Sequence, residues 1–411
     1  MKRNRVQKGV DFIGRQQKPF KVNLVRAASQ SFLTYLLRQY QPLYILRLGA
    51  TSFQLGLVNS IGGIARAAIA LPSGRSADKH GIRRLFLLGT PLMVLGSLLF
   101  AVAADWRAAI SATFVTLLAE GLLMTACPMV CGTYLKNEER ATGKQLCDML
   151  STLPTLVAPM VAAVVIVEFG GLTVEGIRPL YYMQILGFSL TFLWVYQQYV
   201  DTADKKLTGS QSFSKDMKEV FEKGTAVKRW LTYTFLSNTS MYLSLVYLPA
   251  FVTEIKRADE FVLGGMTTAS LLLPIFLAVA VGRFADTHGR KKSIYVTTSL
   301  YCLSVLLLIY ARNVTVLLIS GVLQGFYMLS AVTQGAVTAE LVPVSLLGRW
   351  YGITNLFSGL AGIIGPVIGG LIWSAIGPNY VFLFIILIEV SKLFILWLKV
   401  PETLGATQRI S

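Results

Sequence analysis

Charged side chains lie inside long apolar runs of this sequence, where an ionised group is costly and therefore informative. Glu120 lies near the middle of one run, and burial there favours the protonated form of its carboxylate, so it could carry a proton. Arg38 in the first run could bind an anionic solute or pair with Glu120, and Arg66 in the second run is a further partner. The alternatives are a structural, ion-paired Glu120 and an Arg38 that extends to the outer membrane surface.

The elements that carry these residues are apolar runs of membrane-spanning length. The chain is 54% hydrophobic and 14% charged, with a mean hydropathy of +0.58, whereas about a quarter of a soluble protein is charged. A helix of about 20 apolar residues crosses a bilayer. We predict twelve such helices, numbered here as spans 1 to 12, at 22–46, 53–72, 84–104, 109–134, 146–168, 180–200, 231–252, 263–281, 292–311, 314–338, 350–374 and 379–399.

One polar pattern between these runs occurs twice. GRSADKHGIRR, from Gly74 to Arg84, returns as GRFADTHGRKK, from Gly282 to Lys292, about half the chain length later. We predict a short cytoplasmic turn for each copy, after span 2 and after span 8. A repeat flanked each time by membrane-length apolar runs is typical of a duplicated transporter.

Each repeated residue type in these loops has a physical use. The first glycine would let the end of a helix approach its neighbour closely, and the second suits a turn with positive φ. The aspartate lies before the next helix and could accept hydrogen bonds from its free N–H groups. The basic residues could pair with a carboxylate or a lipid phosphate. The residues concerned are Gly74, Asp78, Gly81, Arg83 and Arg84 in the first copy and Gly282, Asp286, Gly289 and Arg290 in the second.

Both loops resemble the signature loop of the major facilitator superfamily, and the resemblance extends from about residue 20 to about residue 400. It implies an all-α membrane protein with twelve transmembrane helices in two pseudo-symmetric six-helix bundles, and loops that latch the halves on the cytoplasmic face. The expected division is a cytoplasmic tail at 1–21, bundles at 22–200 and 230–400, a linker at 201–229 and a tail at 401–411.

The resemblance also implies roles for residues inside the spans. Span 11 contains Gly365 and Pro366 in a glycine-proline element similar to that of the family's antiporters, although the fifth span, which carries it there, here reads LVAPMVAA. Glu120 replaces a glutamine of the family pattern. Glu389 and Lys392 lie three apart on span 12, which is peripheral in the family, so we expect a structural pair. Further candidates for the lining of the solute path are Asp148, Asn238, Tyr242, Gln324, Gln334 and Asn355.

Composition and topology restrict the function. The Lys and Arg residues behind the net charge of +17 cluster mostly in every second gap between spans, which predicts cytoplasmic N- and C-termini and argues against nucleic acid as a partner. The expected location is the plasma membrane. The four cysteines have no metal-ligand spacing, and no phosphate-binding loop is present, so we expect no cofactor, no metal and no enzyme activity.

The sequence therefore favours a secondary transporter that works by alternating access. Proton-coupled export of amphipathic molecules is the first hypothesis, with a small-molecule substrate, the lipid bilayer and protons as partners, and with a monomer as the expected state. An importer or exchanger of an organic anion that uses Arg38 is the alternative, and a transport-incompetent sensor on the same fold is a third.

Overall fold

A computed structural model of the chain describes residues 12–135, 139–200, 225–342, 347–400 and 402. Inside helices of these ranges, only the backbone is described at 70–80, 125, 127, 128, 132, 140–142, 225, 347–349 and 399. Most of the predicted linker and of the two predicted tails lies outside the described residues. The described helices match the predicted spans one for one, which confirms the all-helical, twelve-span architecture.

Most of the spans form single uninterrupted helices over most of their predicted lengths, and the ends of several lie a few residues outside them. The helices of spans 2, 3, 4 and 6 are Ser52–His80, Ile82–Ala101, Trp106–Tyr134 and Val174–Gln198. Those of spans 8 to 12 are Glu260–His288, Arg290–Tyr310, Val314–Glu340, Leu347–Ala375 and Pro378–Lys399.

The remaining spans are interrupted or change their winding near prolines. Span 1 consists of Lys18–Leu37 and Gln41–Arg47, and the ring of Pro42 would clash with the carbonyl of Arg38 in a continuous helix. Span 5 consists of Arg140–Thr152, a tight turn at 153–156 and Ala158–Glu168. Span 7, Thr225–Ala250, continues after Pro249 into one wider turn at 251–255.

Nine helices in the described part of the chain are long and apolar enough to cross a membrane. They correspond to spans 3, 4, 5 and 7 to 12. Over their described residues, the helices of spans 1, 2 and 6 do not combine that length with that hydropathy. Their polar side chains must then face other helices or a water-filled path rather than lipid.

The chain forms two compact units, residues 1–41 with 61–210 and residues 42–60 with 211–411. In the first unit Phe100 stacks on Tyr181 with ring centroids 4.9 Å apart. In the second unit Trp230 stacks on Tyr233 at 4.6 Å, and the indole N–H of Trp230 donates to the Thr338 hydroxyl at 2.9 Å. Stacked aromatic rings therefore lie in the apolar core of each unit, and the indole of Trp230 finds its polar partner inside the protein.

Close helix contacts within the units are made at glycines. Gly321 of span 10 faces span 8, and a Cβ there would lie 2.7 Å from the Cα of Met266. Gly335 on the same helix has nothing within 4 Å of that position among the described residues. Small residues of this kind let helix backbones approach in a membrane.

We expect Gly321→Ala to destabilise the second unit by about 1–3 kcal/mol, because the added methyl meets backbone that cannot yield. Thermal unfolding of the detergent-solubilised protein, followed by tryptophan fluorescence, should show a clearly lower Tm. Gly335→Ala is the matched control and should leave the Tm unchanged or slightly higher. Equal Tm values for the two variants would contradict the packing described here.

Candidate functional site

Glu120 of span 4 forms an ion pair with Arg66 of span 2. Nη2 of Arg66 donates to Oε2 of Glu120 at 2.5 Å, and the two side chains are 29% (Arg66) and 20% (Glu120) exposed. Of the two partners that the sequence offered for Glu120, the structure shows Arg66 and not Arg38. The partial exposure leaves the pair reachable by water or a solute.

Two glycines bring the backbones of spans 2 and 4 close enough for this pair. A Cβ on Gly62, one turn before Arg66, would lie 2.3 Å from Cδ1 of Leu117. A Cβ on Gly121, next to Glu120, would lie 2.4 Å from Cγ2 of Ile69. Close packing of spans 2 and 4 at both glycines thus shortens the distance that the side chains of Arg66 and Glu120 must span to meet.

Arg38 lies at the break in span 1, and its guanidinium carbon is 4.8 Å from the centre of the Tyr35 ring. Its side chain is half-buried. A cation over an aromatic face is attracted by the ring quadrupole, and that contact orients Arg38 without a carboxylate.

Asp148 of span 5 pairs with Lys144, one turn away on the same helix. The ammonium of Lys144 lies 2.5 Å from both carboxylate oxygens, and the Asp148 side chain is 60% exposed. Exposed pairs of this spacing contribute only about 0.3–0.5 kcal/mol to stability.

Polar side chains of spans 7, 10 and 11 form a second group. Asn238 accepts a hydrogen bond from the Ser358 hydroxyl at 2.8 Å. Gln334 donates to the Ser330 hydroxyl at 2.9 Å and accepts from the Ser237 hydroxyl at 3.3 Å. Both amide side chains are half-buried, so they remain reachable while they bridge neighbouring helices.

The other predicted lining residues differ in their surroundings. The ring of Tyr242 lies against Gly362 of span 11, where a Cβ would be 3.0 Å from the ring. The amide nitrogen of Gln324 is buried, with no hydrogen-bond partner among the residues described. Asn355 is exposed on span 11. The structure therefore places Tyr242 in a helix contact and leaves Gln324 with unused donor capacity.

The predicted turns after spans 2 and 8 are wrong. Both helices continue through the polar pattern to His80 and His288, and the next helices begin at Ile82 and Arg290. In each case a single glycine with positive φ separates the two helices: Gly81 has φ +84° and Gly289 has φ +108°. The expected positive φ is confirmed at both positions, whereas the side chain of Asp78 and the surroundings of Gly74 lie outside what the structure describes.

The loop aspartate after span 8 has a different role from the one predicted. Because the helix continues to His288, Asp286 lies in its last turn and pairs with the Arg290 guanidinium instead of capping span 9. The cap is Glu402, whose carboxylate accepts from the backbone N–H groups of Arg290 at 2.9 Å and Lys291 at 3.1 Å. Negative charge at this helix end is favourable.

Arg290 also reaches Glu340 at the end of span 10, with Nη2 and Oε1 3.1 Å apart. An arginine guanidinium keeps its charge in proteins, so it attracts the carboxylates of both Glu340 and Asp286. The guanidinium thus joins the ends of spans 8, 9 and 10. Sequence reasoning missed Glu340 and Glu402; the signal was an acidic residue after span 10 and after span 12, opposite a basic loop.

The remaining residues of the two repeated loops differ in their contacts. No described atom lies within 4 Å of a Cβ built on Gly282, so its predicted role in close helix packing is wrong. Arg83 donates to the carbonyl of Tyr196 at 3.1 Å, which ties spans 3 and 6 together. Arg84 is exposed.

The glycine-rich face of span 11 packs on the start of span 2 within the second unit. The Tyr247 hydroxyl donates to the carbonyl of Pro366 at 2.6 Å, and the Ser60 hydroxyl donates to the carbonyl of Ile363 at 2.5 Å. A Cβ on Gly370 would lie 2.8 Å from the Cα of Phe53. Gly365 makes only ordinary contact, since a Cβ there would lie 3.4 Å from the carbonyl of Thr239, so other glycines of this face form the tight contact.

Gly289→Ala is expected to destabilise the second unit by roughly 1–3 kcal/mol, because alanine is strained at this φ. Its methyl would also lie 2.8 Å from the Glu402 carboxylate that caps span 9. Gly282→Ala, earlier in the same repeat, should leave the Tm unchanged or slightly higher. A differential thermal unfolding measurement of the two variants tests the assignment, and a larger loss at Gly282 would overturn it.

Comparison with known proteins agrees with this architecture. The sequence profile of the Major Facilitator Superfamily matches residues 24–256 and again 230–410. The chain is 31% identical over 145 residues to the major myo-inositol transporter IolT of Bacillus subtilis, a match that covers 34% of this chain and 31% of that protein. It is 23% identical over 181 residues to the class B tetracycline resistance protein of Escherichia coli, covering 44% and 45%.

These matches cover less than half the length of either curated relative. Among solved structures, the nucleoside transporter NupG superposes with a TM-score of 0.76 at 14% identity, covering 92% of this chain and 98% of that chain. Such a likeness establishes the fold alone. With the family profile matched in both halves, the chain belongs to the major facilitator superfamily.

Proposed function

We propose that this protein is a secondary transporter that exports amphipathic small molecules in exchange for protons. The observation that supports it is the Arg66–Glu120 pair, a partly exposed ion pair between two helices at membrane depth. Ionisable residues inside transmembrane segments usually belong to substrate or proton pathways.

The pair offers a way to couple a proton to a solute. While Glu120 is ionised it holds Arg66. A proton that binds the Glu120 carboxylate removes the negative charge and frees the guanidinium for another acceptor. Proton and solute then favour different conformations of the carrier, and such differential affinity is the only means by which a ligand can shift the equilibrium between them.

A drug-like, amphipathic solute is supported by some of the similar proteins, which are named as drug resistance proteins. Besides the tetracycline resistance protein, the multidrug resistance protein MdtG of Proteus mirabilis is 29% identical over 156 residues, which cover 36% of this chain and 38% of that protein. The similarity to a myo-inositol transporter points instead to a polyol, so both solutes are needed as probes. We further propose, from the distribution of Lys and Arg between the spans, that both termini are cytoplasmic. We also propose that the protein is a monomer in the plasma membrane.

Arg38 supports a second candidate, the import or exchange of an organic anion. It is half-buried at the break in span 1 and oriented by the ring of Tyr35. A delocalised guanidinium held in this way suits a carboxylate-bearing solute. Salicylate uptake that is lost in Arg38→Ala, with no proton-driven export of tetracycline, would favour this candidate.

Purified protein in liposomes, with an imposed pH gradient, tests the main proposal with tetracycline and myo-inositol as probes. Glu120→Gln keeps the shape but cannot release a proton, so gradient-driven accumulation should fall at least about tenfold, equivalent to about 1.4 kcal/mol. Flux down a solute gradient should persist.

The matched control is Glu168→Gln, the same change at an exposed carboxylate at the end of span 5. It should retain full gradient dependence. Full gradient dependence in Glu120→Gln as well would exclude the proton step at Glu120. Absence of substrate-dependent flux, together with a stable cytosolic partner, would favour a sensor on this fold.

A further inference from the structure

We propose that the buried Glu389–Lys392 pair of span 12 positions the polar groups of the transport site, and acts through Ser237 on Gln334. The inference rests on the proposed transport function. It gives a role to two residues for which the sequence indicated only a structural one.

The pair is fully enclosed within the second unit. Both residues have 0% exposure, and Nζ of Lys392 lies 2.6 Å from Oε2 of Glu389. A buried ion pair of this kind contributes little to the free energy of unfolding, since replacing both partners by apolar residues of similar size is often neutral or stabilising. Removal of one partner is different, because it leaves an uncompensated charge at membrane depth.

The first unit shows that packing alone does not require these charges. Its last helix, span 6, carries the neutral Gln184 at its buried face. The Gln184 amide donates to the carbonyl of Leu33 on span 1 at 2.8 Å and accepts from the Ser97 hydroxyl of span 3 at 2.9 Å. A neutral amide therefore joins the last helix of that unit to its neighbours, whereas the second unit uses an ion pair.

The ammonium of Lys392 sets the direction of a hydrogen-bond chain. It lies 3.2 Å from the Ser237 hydroxyl, and because an ammonium can only donate, Ser237 must accept. The single proton of Ser237 is then left for Oε1 of Gln334 at 3.3 Å. With its oxygen engaged in this way, Gln334 presents its NH₂ group to Ser330 at 2.9 Å.

Two tyrosines hold Lys392 in this position. Its Nζ lies 5.5 Å from the ring centre of Tyr233 and 5.7 Å from that of Tyr327. The Tyr327 hydroxyl donates to the backbone carbonyl of Ser237 at 3.0 Å, so the residue that receives the lysine hydrogen bond is also fixed by its backbone. Rings over an ammonium stabilise it electrostatically.

Gln334 is the accessible end of this chain. It is half-buried on span 10, and the half-buried Asn238 and Ser358, which bond to each other, are further polar groups of the same unit at membrane depth. Without Lys392, the Ser237 hydroxyl could turn to a backbone carbonyl one helical turn away, and the Gln334 amide would lose its fixed direction. The polar part of a solute would then meet a Gln334 amide that points in more than one direction.

The test is a double-mutant cycle on transport in proteoliposomes, with whichever of tetracycline and myo-inositol the wild type moves. The charge-free variant Glu389→Leu/Lys392→Met should keep a Tm near that of the wild type, whereas Lys392→Met alone should lower it. KM of the charge-free variant should rise about tenfold with little change in Vmax, since about 1.4 kcal/mol of solute binding is lost. Ser237→Ala should give a similar rise, and the triple variant should equal Ser237→Ala, because interactions through one shared residue are not additive.

Ser240→Ala, a buried hydroxyl one turn along span 7, is the control and should leave KM unchanged. Ser237→Thr, which keeps the hydroxyl, should restore KM. If the charge-free variant does not fold, Lys392→Met assayed below its Tm should show the same KM as Ser237→Ala, and a wild-type KM there would overturn the positioning role. Additive effects in the triple variant, or an unchanged KM in Ser237→Ala, would overturn the positioning role alone. Absence of wild-type flux for both probes would instead overturn the transport function on which it rests.

Discussion

Inside a bilayer, a polar group that leaves water must find its partner within the protein. The two units meet this constraint with a small set of contacts between helices. Arg66 and Glu120 join spans 2 and 4, and Lys392, paired with Glu389, joins span 12 to span 7. Glycine contacts then set how closely the helices approach, so the polar partners can meet without strain. The positions of the spans follow from this combination of close packing and polar contact.

A hydrogen bond from a tyrosine hydroxyl to a proline carbonyl occurs in each unit, as expected after duplication. Tyr40 at the break in span 1 donates to the carbonyl of Pro159 in span 5 at 3.2 Å. Tyr247 of span 7 donates to the carbonyl of Pro366 in span 11 at 2.6 Å, and each tyrosine precedes its proline by 119 residues. Proline disturbs the helix around it, and the tyrosine hydroxyl ties that disturbed region to a neighbouring helix. The two bonds are thus equivalent contacts in the two units.

Hydropathy predicted the spans well, because membrane length and apolarity are local properties of the chain. It failed at the repeated loops, since the polar residues before Gly81 and Gly289 remain helical and only the glycine with positive φ ends each helix. Asp286 was therefore assigned to the wrong helix end, and the capping carboxylate of Glu402 lies far away in sequence. The sequence offered both Arg38 and Arg66 as partners of Glu120, and only tertiary packing decides between them.

The differences between the two units are more informative than their likeness. Duplication alone would give both units the same polar contacts. Identical polar cores would meet the bilayer's requirement for internal partners equally well in both units. Instead, Glu120 pairs with Arg66 in the first unit, whereas span 10 carries the neutral Gln324, whose buried donor has no partner among the described residues. The last helix shows the opposite pattern, with neutral Gln184 in the first unit and the charged Glu389–Lys392 pair in the second. Since a charge at membrane depth is costly to keep, the retained asymmetry points to the places where each unit acquired its own task in transport.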